Sequence, residues 1–142
     1  MIDEARAVRV RYDPHREAFR IGVTSKLAPL PAWKREADFL FTQVSFSVEY
    51  LLRWRETVDF DGPAFAGVMA PPSATMARKL SSEIPELAVP EPLVRALEEH
   101  STAGVNFACH MVSDIRQSQA FDGVHLSPVT RYQEIAARLE RT

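Results

Sequence analysis

The stretch FLFTQVSF at 39–46, followed at once by Ser47 and the run VEYLL at 48–52, decides the fold of this chain. Its first part carries no charge and is dense in phenylalanine and other strand formers, as expected of a strand buried on both faces. Ser47 is a strong helix N-cap. Val48, Leu51 and Leu52 then recur at helical spacing, which predicts one apolar side on a helix over 48–58. A buried strand that feeds directly into an amphipathic helix is one βα unit.

The same alternation continues on either side. Upstream, VRVRY at 8–12 alternates apolar and charged residues and predicts a half-exposed strand. DPHR at 13–16 is a turn, and FRIGVT at 19–24 predicts a second strand; these two hairpin-like strands are an alternative to a partner as the cap for one sheet edge. LAPLP at 27–31 is loop, with Pro31 well placed before one or two helical turns over 32–37. Downstream, FDGP at 60–63 turns into a strand over 64–69 that Pro71-Pro72 stops, and Ser73 opens a helix to about Leu80. Pro85 and Pro90 bracket a loop before helices over 91–99 and 103–119. In the longer helix Val105, Ala108, Cys109 and Val112 form the apolar stripe. Asp122-Gly123 leads into a strand over 124–126, and a helix over 131–141 places Tyr132, Ile135, Ala136 and Leu139 on one face. Strand and helix in turn predict an α/β fold with a mostly parallel sheet.

Composition agrees with one globular domain spanning residues 1–142. The chain has 142 residues, 46% of them hydrophobic and 25% charged, which is an ordinary core-to-surface balance. A formal net charge of −2 gives no cationic surface for nucleic acid or anionic lipid. The single cysteine, Cys109, forms no internal disulfide and suits a reducing compartment. No apolar run reaches the roughly 18 residues of a membrane span, and the first residues lack a signal-peptide pattern. The expectation is a soluble, cytoplasmic protein.

Segments spread along the chain carry a family likeness. ADFLFTQ at 37–43 resembles the "ADFLITQ" strand of the methylenetetrahydrofolate reductases. GVMAP at 67–71 resembles their "GIMP" strand end, and GVHLSPVTR at 123–131 their last strand, "GLHFYTLNR". KL at 79–80 followed by EIP at 83–85 or VP at 89–90, and GVNFA at 104–108, resemble connecting pieces of the same family, and IGV at 21–23 its "IGVAAYPE" strand. The resemblance implies a partial, half TIM-like (β/α) barrel: mostly parallel strands with flanking helices, equivalent to strands five to eight of a (β/α)₈ barrel. A closed barrel takes about 250 residues, so this chain is too short to be one alone. Its edge strands then call for a partner, either a second copy or another half-barrel.

The resemblance also implies a folate-like small molecule as ligand. Gln43 matches the family's glutamine at a strand's C-terminal end, where a carboxamide meets the amide-like edge of a pterin. Arg131 matches the arginine after the last strand that contacts folate, and Leu80 falls near an aromatic residue that stacks on the ligand. For Gln43 the competing reading is a residue satisfying loop backbone. For Arg131 it is a solvated arginine in the first turn of a helix.

Other family features are lost. The flavin-binding loop and catalytic carboxylates belong to the half with no counterpart here, the "AAYPE" loop is replaced by TSKLAP at 24–29, and Ser127 and Thr130 replace a tyrosine and an asparagine. The implication is FAD only if a partner half supplies it, no cofactor for the chain alone, and no catalytic residue of its own. His100, His110 and His125 share no ligand spacing with Cys109, and no metal is expected. His125 reads as a satisfied core histidine or one pointing toward the pocket. Two functions follow: an oxidoreductase component giving Gln43 and Arg131 to a folate pocket, or a non-catalytic pterin-binding or partner-stabilising module.

Overall fold

A computed structural model describes residues 1–12, 20–127 and 130–141. In chain order the elements are α1 (Ile2–Tyr12), β1 (Gly22–Ser25), a 3₁₀ turn (Ala32–Glu36), β2 (Phe39–Val44), α2 (Val48–Thr57), β3 (Ala64–Val68) and α3 (Ala74–Glu83). A second 3₁₀ turn (Pro85–Leu87), α4 (Glu91–Glu99), α5 (Ala103–Ser118), β4 (Gly123–Leu126) and α6 (Tyr132–Glu140) follow. The four strands form one sheet in the order β1-β2-β3-β4, every pair parallel. Parallel neighbours cannot be joined by tight turns, and the connecting helices supply the crossovers. The protein is thus α/β, with a four-stranded parallel sheet flanked by helices.

Local sequence accounts for the starts of α2 and α3. Ser47 caps α2 by accepting the Tyr50 amide, and Ser73 caps α3 by accepting the Met76 amide. At the start of the strands two aspartates act alike. Asp38 accepts the Ile21 amide on its carboxylate while its own amide donates to the Ile21 carbonyl. Asp122 does the same with Ala64. Each aspartate ties the entry of one strand to the entry of its neighbour and so sets register.

Alternate strand residues separate two faces. Leu40 on β2 and Ala64, Ala66 and Val68 on β3 are buried under the helices. One core joins Ala66 and Val68 to Leu51 of α2, Val105, Ala108, Met111, Val112 and Ile115 of α5 and Ile135 of α6. A second joins Leu40 and Ala64 to Ile2 of α1, Trp54 of α2 and Phe60. A third, between α3 and α4, holds Ala77, Val89, Leu93, Val94 and Leu97. The opposite face carries Phe39, Phe41, Phe65 and His125, all only half-buried. Their rings meet one another, Phe41 lying 5.4 Å from Phe65 and 4.9 Å from His125.

Three expectations are corrected. Residues 8–12 continue helix α1 instead of forming a strand. Their alternation is real, but Ala5, Arg6 and Ala7 precede them as good helix formers, and Asp3 and Glu4 in the first turn favour the helix dipole. Ile2 docks in the second core, and Arg6 bonds the Glu36 carbonyl and reaches Asp38, so the helix is anchored at its first turns. The second predicted strand is reduced to Gly22–Ser25, so no N-terminal hairpin forms; Phe19 lies outside the described residues. The strand at 39–46 is buried on its Leu40 and Thr42 side alone, because its phenylalanines meet rings where a second layer of helices would be needed. No helix among the described residues is long and apolar enough to cross a membrane.

Candidate functional site

Loops after β1 and β2, the start of α2 and the turn at Pro85–Leu87 enclose a cavity of about 400 Å³ at the C-terminal edge of the sheet. This is the edge where parallel α/β sheets place their ligand sites. Gln43, Val44 and Ser45 line it from β2 and the residue beyond, Lys26 and Leu27 from the β1 loop, Tyr50 from α2, and Glu86 from the opposite rim.

The β1 loop is held firmly. Its Lys26 carbonyl accepts both the Ser25 hydroxyl at 2.9 Å and the Ala28 amide at 2.8 Å. Tyr50 donates its phenol to the Leu27 carbonyl at 3.0 Å, and Trp54 donates its indole N–H to the Ala28 carbonyl at 2.9 Å. Two aromatic heads on successive turns of α2 therefore fix this loop. The Lys26 ammonium lies 3.2 Å from the Glu86 carboxylate, joining the two rims. Both side chains are more than half exposed, so the pair contributes little stability and is easily exchanged for a ligand.

Gln43 sits where β2 is irregular. Phe41 pairs with Phe65, yet Val44, three residues on, pairs with Gly67, only two residues on. Such extra residues re-aim side chains and gather next to sites. Among the described residues the Gln43 carboxamide has no protein hydrogen-bond partner, while its backbone carbonyl accepts the Thr42 hydroxyl. Gln43 lines the cavity, and among the described residues its carboxamide is not engaged by another protein group.

The three residues singled out from sequence are not brought together. Arg131 lies at the start of α6, donates to the Ser101 carbonyl at 3.1 Å and pairs with Glu134 at 2.5 Å. Leu80 packs against the α3–α4 core. Neither lines the cavity that holds Gln43. Sequence reasoning missed Lys26, Tyr50 and Glu86. Tyr50, in the first turn of a helix that follows a strand, was open to detection; Glu86 was not, since it reaches Lys26 across 60 positions.

The remaining candidates are structural. Among the described residues no group of His, Cys, Asp or Glu is arranged to hold a metal ion. His110 bonds the Asn106 carbonyl one helical turn back. Burial pushes the Cys109 thiol above its ordinary range and Glu134 adds to this, against the pull of the nearby Arg138 guanidinium. The thiol thus stays protonated in the folded chain where the unfolded chain already ionises. Stability that this difference supplies is complete at neutral pH and falls as pH rises past the ordinary thiol value of about 8.5. Iodoacetamide labelling at pH 8 should be slower in the folded chain than in urea, and Cys109→Ala should flatten the alkaline loss of stability. Equal labelling rates in the two states would remove this assignment.

No protein-family model matches the chain, and no curated protein sequence matches it.

Proposed function

We propose that this chain is the folate-side half of a methylenetetrahydrofolate reductase-like (β/α)₈ barrel, binding a folate through Gln43 and needing a partner half-barrel for flavin. The observation that carries the reading is Gln43 itself: a carboxamide free of protein partners, at an irregular strand end, in a cavity at the C-terminal edge of a parallel sheet. A carboxamide offers a donor and an acceptor side by side, which matches the amide-like edge of a pterin.

The sheet supports the half-barrel. Its strands follow one another in sequence order, and β1 and β4 are both edges. The ring-lined face is open, with a shallow depression of about 420 Å³ over Phe39, Phe41 and Phe65. A second set of four parallel strands pairs both edges and covers the rings at once, giving the eight strands of a closed barrel. The partner is a half-barrel of this kind, bearing the flavin loop. This chain's own cavity does not fit a flavin dinucleotide. It offers a single lysine and no glycine-rich turn to hold a pyrophosphate. The chain therefore serves the substrate side only, and the oxidoreductase activity belongs to the pair.

The test has two parts. Methyltetrahydrofolate titrated into the purified chain is expected to bind, and Gln43→Ala to weaken it about tenfold, the loss of roughly 1.4 kcal/mol of hydrogen bonding. Unchanged affinity removes Gln43 from the site. Co-purified with a polypeptide resembling the missing half, the chain is expected to give a yellow complex that oxidises a nicotinamide. The second reading, a non-catalytic folate-binding or partner-stabilising module, draws on Arg131, which is spent on Ser101 and Glu134. A colourless complex that binds folate without turnover selects it.

A further inference from the structure

The irregularity in β2 that presents Gln43 is held by a polar network that sequence patterning does not explain. In an unbroken ladder the Gly67 amide on β3 would bond a β2 carbonyl. Here it donates to the Thr42 hydroxyl at 2.9 Å, and that hydroxyl donates in turn to the Gln43 carbonyl at 2.9 Å. Thr42 is 2% exposed, so its hydroxyl stands in for a ladder partner in a place water does not reach.

The Thr42 carbonyl finds its partner two strands away. His125 on β4 places Nε2 at 3.0 Å from it, reaching across β3 to do so. It can cross only because the residue between is glycine. A Cβ on Gly67 would stand 2.8 Å from the Thr42 oxygen, 2.9 Å from the Val44 nitrogen and 3.0 Å from His125 Nε2. The Phe41 ring, 4.9 Å from the imidazole, holds it from the other side. Since a carbonyl only accepts, Nε2 must carry the hydrogen, and this fixes the tautomer of the neutral ring.

We propose that His125 is a positioning residue for the ligand site: its bond to the Thr42 carbonyl locks the β2 irregularity and so aims Gln43 into the cavity. The proposal rests on the reading of Gln43 as the ligand-binding carboxamide. His125 itself does not line that cavity, so any effect on binding must pass through β2.

A double-mutant cycle tests it, with methyltetrahydrofolate as the probe and circular dichroism to verify folding. His125→Leu is expected to weaken binding about tenfold, and His125→Gln, which keeps a donor at similar reach, to restore most of it. In the Gln43→Ala background His125→Leu should change affinity less than about twofold, because there is no carboxamide left to aim. A loss of the same size in both backgrounds overturns the proposal, as does His125→Gln binding as weakly as His125→Leu. If Gln43→Ala alone leaves affinity intact, the reading of the site fails first, and the proposal falls with it. Should His125→Leu not fold, ¹⁵N spectra of the wild-type imidazole decide: hydrogen on Nε2 at neutral pH supports the bond, and hydrogen on Nδ1 alone overturns it.

Discussion

Leu51→Ala is expected to cost about 3–5 kcal/mol of stability, the range for leucines truncated in sealed cores. Leu51 is fully buried in a core it shares with Ala66 of β3, Val112 of α5 and Ile135 of α6, so its removal leaves a void in that core. Those neighbours belong to different elements and cannot all move inward together, which keeps the cavity open. Domains of this size hold only about 5–15 kcal/mol in total, so the variant should fold yet unfold in far less urea. The check is the urea midpoint at unchanged slope. A loss below about 1 kcal/mol would mean that α2 does not pack as described.

Gly104→Ala is the second large effect, and its sign is decided by two opposed terms. In a helix interior alanine gains about 1 kcal/mol over glycine. Against this, a Cβ at Gly104 would lie 2.0 Å from the Pro71 carbonyl oxygen and 3.0 Å from its carbon. Both are backbone atoms, which no rotamer change can move aside. The first turn of α5 must therefore lift away from the end of the β3 segment, and it carries Val105 and Ala108 out of the main core as it goes. Overpacking of this kind costs about 1–3 kcal/mol or more and outweighs the propensity gain. Thermal unfolding should show a melting temperature lower by several degrees, about 2–8 °C per kcal/mol for domains of this class. An unchanged or raised melting temperature would refute the close approach.

The two glycines at 67 and 104 carry related lessons. Both lie in stretches that resemble family motifs, and at both the structure supplies a steric reason: one leaves room for His125 to cross a strand, the other lets a helix touch a loop backbone. Neither position requires an unusual backbone angle, since Gln119 alone among the described residues has a positive φ. Here glycine is chosen for the absence of a side chain, and turn chemistry plays no part.

Local sequence determined the order of strands and helices from residue 39 onward, because each element there carries its own signal. Ser47 and Ser73 cap the helices they precede, Pro90 and Glu91 begin α4, and uncharged runs mark β2 and β3. The same local reading failed at residues 8–12, where alternation suits a strand or an exposed helix turn, and docking of Ile2 and Arg6 chose the helix. That Gln43 lies at the C-terminal end of a strand was legible. Its surroundings were not. The cavity is assembled from Lys26, Tyr50 and Glu86, on segments that touch only after the sheet forms. Arg131 is held in an ion pair with Glu134 and Leu80 packs on a helix–helix core, placements that pattern alone does not give. The β2 irregularity could not be read from β2 at all, since it exists only relative to β3 and is held by a histidine from β4. Periodicity, capping and turn chemistry act within a few residues and can be read from the chain. Register, cavity walls and the partner of a buried carbonyl are properties of pairs distant in sequence, and only the tertiary structure decided them.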